Sequence, residues 1–332
     1  MSSEYFEPEL DDSAVGIGKK AVSETTKVAT AISPTSMSES TKIINSASVV
    51  VNALHAKQWN PTNPDSWDSD MREYHAVANS DYVLPSDHIE QNRLEMQHYI
   101  FRAAFGGDII CPSAKYLAGV AGAKILDVGC ANGVWLQCIK KANPLADCHG
   151  VDIAETLISE ASVNNENSTF DYVHQRLLVL GMPRDKFVGV LEELIRVTKP
   201  GGWIELVEAN MVYYSPGPYT KILGTSIFDA INKRGLDCYA ATNLPWYVAQ
   251  VKNNVETQDM KTLQMPVCWG SEIGKLNGTN LKTVILAAED WMHTAMGVSR
   301  EDYRQLVQNC YDEWAENKTF YQARALYFQV KK

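Results

Sequence analysis

The sequence predicts an α/β protein built on a doubly wound, mostly parallel sheet, and three features carry that expectation. Beyond residue 124, short apolar runs alternate with segments of helical period, which is the pattern of parallel strands joined by helices. The first run, in ILDVGCANGVW at 125–135, ends in a glycine-bearing loop that opens a helix. Further on, KPGGW separates a strongly amphipathic helix from another strand. The 332 residues, 45% hydrophobic and 21% charged, can bury a sizeable core.

In chain order, residues 1–60 form a Ser/Thr-rich segment whose composition does not repay the entropy of ordering, and a disordered tail is expected. Its apolar patch SVVVNALHA at 48–56 reads as a short docking helix or a transient one. Residues 61–120 read as a helical arm or lid. There Ser86 or Asp87 supplies an N-cap with Glu90 in the first turn, and Leu94, His98, Ile100, Phe101 and Phe105 fall close to one face before Gly106 and Gly107 end the helix. Residues 121–332 form the main domain. Strands are expected at 124–128, 147–152, 170–174 and 203–208, helices at 134–141 and 186–198, and a closing strand at 321–329. A helical insertion is expected at about 215–317, clearest over 272–317.

Thirty Lys and Arg against forty Asp and Glu leave a net charge of −10, which argues against nucleic acid as a whole-surface partner. Seven cysteines, with no CxxC pair and no nearby histidine cluster, fit reduced thiols in an intracellular compartment, and no metal site is expected. The start MSSEYFEPEL is acidic where a signal peptide is basic, and no run approaches the roughly 18 apolar residues of a membrane span. A soluble, cytoplasmic protein is expected, with no membrane partner.

The chemistry concentrates in the loop. Asp127 ends the strand, and Gly129 and Gly133 let the backbone approach a ligand beside the free N–H groups of a helix N-terminus. A dinucleotide site uses the same strand, loop and helix, so two Rossmann-like readings compete. The spacing favours a nucleoside without a pyrophosphate. Asp127 would repel a pyrophosphate but attract a cationic aminoacyl group, Asp152 about 20 residues on is placed for both ribose hydroxyls, and no GxGxxG fits the loop.

With KPGGWIELVE, this set resembles the class I S-adenosylmethionine-dependent methyltransferases. FDYVHQRLLVLGMPRDKF and LEELIRVTKPGGWIELVEAN, the YVLPxD segment at 82–87 and WGSEIGKL at 269–276 resemble the fungal LaeA-like, secondary-metabolism regulator type, over about 65–330. The resemblance implies a Rossmann-like fold of the class I type, S-adenosyl-L-methionine as cofactor, and a small-molecule or protein methyl acceptor. It also makes a nuclear location conceivable, although Lys19-Lys20 is too short for an import signal. The implied cofactor contacts are Asp127, Gly129, Cys130 and Gly133 on the methionine side, Asp152 on ribose and Tyr82 as a cover. Asp171, Tyr172, His174, Gln175 and Arg176 follow the strand that ends beside the transferred methyl in that fold. Ala131 stands where many relatives carry a second glycine.

Only 19 residues separate Asp152 from Asp171, room for one helix and a polar turn but not for a helix, a strand and a loop. The third, edge strand, with its adenine-contacting acid, is therefore expected to be missing. The adenine pocket would then be rebuilt from Ile153, Asn164, Asn165 or Glu166. The shortening leaves a second reading open, a catalytically weak or inactive methyltransferase-like scaffold or regulatory protein that works through a protein partner.

The remaining candidates each carry a structural alternative. His174 is a general base or a hydrogen-bonded strand-end residue. Glu208 faces the site or is a solvated strand-end acid. Arg176 binds a substrate carboxylate or pairs with Glu192 or Glu193. Tyr213, Tyr214, Trp246 and Trp269 line an acceptor pocket or belong to the core.

Overall fold

The computed structural model describes residues 72–74, 82, 84–112, 117, 120–152 and 167–331. The tail expected at 1–60, the helix at 48–56 and the segment 153–166, with Ile153, Asn164, Asn165 and Glu166, lie outside these residues. All described residues fall in the compact unit Ala47–Lys332.

Helix α1 (His88–Phe105) begins where the sequence placed it. Asp87 caps it by accepting from the Glu90 N–H at 3.0 Å, and Gly106 closes it in the left-handed conformation. The six strands are β1 (Lys124–Val128), β2 (Asp147–Val151), β3 (Phe170–Arg176), β4 (Thr198–Ala209), β5 (Val255–Pro266) and β6 (Phe320–Val330). The helices that follow α1 are α2 (Val134–Ala142), α3 (Phe187–Val197), α4 (Pro218–Lys233), α5 (Ala240–Gln250), α6 (Glu272–Ala287), α7 (Glu289–Met296) and α8 (Arg300–Trp314).

The strands lie side by side in the order β2-β1-β3-β4-β6-β5. The first four are parallel, and β6 is antiparallel to both β4 and β5. This is the doubly wound α/β architecture expected. Among the described residues β2 is the outermost parallel strand, at the edge where the third strand was expected to be missing.

Alternation along the strands gives the sheet two covered faces. On one face Leu126, Val173, Ile204, Leu206 and Phe328 pack against Leu191 and Leu194 of α3 and Leu244 and Val248 of α5. On the other, Ile125 and Tyr172 meet Trp135 and Ile139 of α2, while Val207 and Ala323 meet the residues of α1, α4, α6 and α8.

Three expectations need correction, the first being that β4 starts at Thr198 and not at 203, so that KPGG lies inside the strand. The stretch 215–317 is not wholly helical, because β5 runs through it. Most of VETQDMKTLQMP is exposed at the sheet edge, so it carries no buried alternation from which a strand could be read. Strand β3 also continues two residues past the expected end, and those two are Gln175 and Arg176.

Candidate functional site

At the carboxyl ends of β1, β2 and β3 the chain leaves a cleft, roofed by α1. This is where open parallel sheets bind ligands, because the strands end there and the following loops diverge. The loop after β1 forms its floor. Gly129 has φ +74° and Gly133 +70°, in the left-handed region that L side chains avoid. A Cβ on Gly129 would lie 2.4 Å from Leu178 Cδ2, whereas one on Gly133 would meet nothing within 4 Å. Ala131, at the position of the frequent second glycine, is also left-handed, with φ +46°. The resemblance and the backbone thus agree on what this position requires.

The loop is tied at three points. Gly129 N–H donates to Val151 O at 2.8 Å, Ala131 N–H donates to Asp152 Oδ2 at 2.8 Å, and Asn132 Nδ2 donates to Gln91 O at 3.1 Å. Asp152 therefore shapes the loop as well as lining the cleft. Cys130 is buried, and burial with the nearby Asp127 and Asp152 pushes its thiol up to about 12, so it stays protonated. Tyr82 lines the cleft from the arm.

Parallel register sets Asp127, His174 and Glu205 side by side on β1, β3 and β4. All three are buried. His174 Nδ1 lies 2.8 Å from Asp127 Oδ1, and its ring stacks on Trp135 at 4.1 Å between centroids. Glu205 Oε2 accepts the N–H groups of Ile110 and Cys111 at 2.8 and 2.7 Å, and burial raises its carboxyl. His174 borders the cleft, but its contacts are those of the hydrogen-bonded structural alternative. Glu208 borders neither the cleft nor the adjoining cavity. It is fully buried and accepts the Leu178 N–H at 2.9 Å, holding the loop after β3, and burial pushes its carboxyl up to about 8.

Arg176 does line the cleft. It pairs with neither Glu192 nor Glu193: its Nη2 lies 3.2 Å from His98 Nδ1, and Glu193 pairs with Arg196. His98 also meets Cys138 and Asp108, each at 3.5 Å, a grouping the sequence did not reveal. Burial and Arg176 push His98 down to about 2, so it is neutral. Arg102, 3.4 Å from Asp108, adds a second guanidinium that disfavours a cation there.

Four candidates are displaced from the site. Asp171 stands at the start of β3, the opposite end of the sheet, where its carboxylate binds Lys199 Nζ at 2.8 Å and the Lys124 N–H at 2.9 Å. A strand's two ends are told apart only by its neighbours, and Asp171 lies two residues on the wrong side of Val173. Trp246 is 59% exposed on α5 and borders no cavity of the cleft. Tyr214 stacks on Phe320 at 5.0 Å, an end-of-strand contact with β6. Trp269 donates to Thr319 O at 2.7 Å and is structural. Tyr213 lines an apolar cavity that adjoins the cleft. Sequence reasoning missed Gln91, Leu94 and Gln97, which line the cleft from α1; their spacing of three residues was the available signal.

Sheet order and loop together define an α/β domain with a Rossmann-like, mostly parallel sheet. Residues 96–249 match the family model described as a methyltransferase domain. The chain is 30% identical over 153 residues to the N-methyltransferase sirN of Leptosphaeria maculans, covering 41% of this chain and 52% of that protein. It is 27% identical over 177 residues to the secondary metabolism regulator laeA of Aspergillus flavus, covering 48% and 45%. With the N-methyltransferase gliN of Aspergillus fumigatus it shares 26% identity over 151 residues, covering 41% and 52%. The chain spans about half the length of the curated relatives it matches. It resembles the fungal LaeA-like group, as the motifs implied.

Proposed function

We propose that the protein is an S-adenosylmethionine-dependent methyltransferase acting on a small-molecule or protein acceptor. One observation carries this: a left-handed loop at the head of the parallel sheet, with Asp127 before it and Asp152 beside it, opening onto the cleft under α1. The donor set suits the cofactor. Asp127 and Asp152 border the cleft against the single cation Arg176 among its described lining residues, while Glu90, also on the lining, is paired with Arg93, so a positively charged ligand is favoured.

Bound S-adenosylmethionine would supply a methyl group already activated by its positive sulfur. The protein's own part is then positioning and exclusion of water. Asp152 would bind ribose while holding the loop through Ala131, and the backbone from 129 to 133 would cradle the methionine portion. Tyr82, Leu94 and Gln97 would cover the bound molecule.

Calorimetry with S-adenosylhomocysteine on the whole chain tests the reading. Micromolar affinity, falling at least about tenfold in Asp152→Ala, is the expected outcome. A folded chain that binds none at millimolar concentration would overturn it. The scaffold reading would then stand, favoured by the position of β2 at the edge among the described residues. Among the described residues no helix is long and apolar enough to cross a membrane, and the cytoplasm or nucleus is the location proposed.

A further inference from the structure

Past Tyr82, Leu94, Gln97 and Leu177, which border both spaces, the cleft continues into a second cavity. Phe101 of α1, Leu180 and Met211 of the strand-end loops, and Leu281 and Val284 of α6 give it a mostly apolar lining.

Its one charged lining residue among those described, Arg93, is already neutralised. Arg93 Nε and Nη2 donate to the Glu90 carboxylate at 2.6 to 3.0 Å, and both side chains are buried. The remaining Nη1 donates to Asn280 Oδ1 at 3.3 Å. A guanidinium can only donate, so this contact fixes the Asn280 amide with its oxygen toward Arg93 and its NH₂ turned away. Asn280 is 4% exposed and lines the cavity, and the side-chain hydrogen bond it makes among the described residues is the one its oxygen accepts from Arg93. Asn210, on the same lining, contrasts with it: Nδ2 donates to Thr242 Oγ1 and Oδ1 accepts from Thr242 N–H.

A mostly apolar cavity that presents an oriented amide donor, with the Gln97 amide and the Tyr213 hydroxyl also on its lining, suits a ligand that carries a hydrogen-bond acceptor. We infer that this cavity is the acceptor site and that the acceptor is an uncharged, largely apolar small molecule whose carbonyl oxygen receives the Asn280 N–H. This rests on the methyl-transfer reading and narrows it. A lysine ammonium or a carboxylate would enter without a counter-charge, since Glu90 and Arg93 satisfy each other. Gln97, on the boundary of both spaces, stands where cofactor and acceptor would meet.

Prodan, a neutral naphthalene ketone whose emission moves to the blue in apolar surroundings, is a suitable probe on the whole chain. A saturable blue shift with one-to-one stoichiometry is expected. Asn280→Leu should weaken prodan about tenfold, but weaken its ketone-free parent, dimethylaminonaphthalene, less than about twofold. Val284→Trp, which fills the cavity, should abolish binding of both, with S-adenosylhomocysteine affinity unchanged by calorimetry. Should Asn280→Leu not fold, Asn280→Asp removes the donor while keeping an oxygen for Arg93, and the same selective loss of prodan is expected. Absence of saturable prodan binding to the folded wild-type chain, undiminished binding to folded Val284→Trp, or equal loss of both probes on removing the donor would overturn the inference. Failure of wild type to bind S-adenosylhomocysteine would instead sink the methyl-transfer reading, independently of the prodan result.

Discussion

Ala131 adopts a left-handed conformation, with φ +46°, that costs an L-residue about 1–2 kcal/mol relative to glycine. Glycine gives back part of that in unfolded-state entropy. Ala131→Gly is expected to raise Tm by about 1–2 °C with S-adenosylhomocysteine affinity retained, and a lower Tm in a thermal melt would show the conformation to be unstrained. Glu208 makes a prediction in pH. Burial raises its folded pKa to about 8 from the ordinary 4.5, so the folded state keeps a proton that the unfolded state has lost between those values. Its contribution to stability is full below pH 4.5 and is lost as pH rises toward 8. Glu208→Gln, which still accepts from Leu178, should therefore gain on wild type by about 2–4 °C in Tm between pH 5 and pH 8.5. Parallel melting curves that keep a constant gap would reject this.

At the scale of elements, α1 and the glycine loop act together. The first half of α1 supplies Gln91, Leu94 and Gln97 to the cleft, and Asn132 of the loop grips Gln91 O. Asp87 holds the start of that helix, accepting from Glu90 N–H and pairing with Arg72. Asp87→Ala should cost about 1 kcal/mol from the lost cap alone. Because the cleft wall loosens with it, the affinity for S-adenosylhomocysteine should fall severalfold; calorimetry showing unchanged affinity would mean that α1 plays no part in binding. The cap and the closing Gly106 were legible because they act through neighbours in sequence. The burial of Glu90 and Arg93 on the same helix was not, since it depends on Asn280 of α6, 187 residues away. Strand β5 was hidden for the converse reason: a largely exposed edge strand held by β6 needs no apolar pattern.

For the whole molecule, a ligand that binds only the folded state stabilises it by mass action, by about 2.7 kcal/mol at a hundred times Kd. Saturating S-adenosylhomocysteine should raise Tm by about 5–10 °C in a thermal-shift assay. A shift of that size from a dinucleotide instead would favour the competing Rossmann-like reading. The net charge of −10 predicts that this response changes little with added salt, unlike binding to a polyanion.

The parallel sheet, the loop glycines and the acids at 127 and 152 were readable because each is a short-range rule: strand period, left-handed turn, helix start. Tertiary structure decided which residues of a strand reach the site. Parallel register locked His174 between Asp127 and Glu205 and sent Asp171 to the far end, bound to Lys199. It also joined α1, α6 and the end of β4 around one cavity, with Asn280 turned by its contact with Arg93. These outcomes depend on contacts between residues far apart in the chain, which no local pattern encodes.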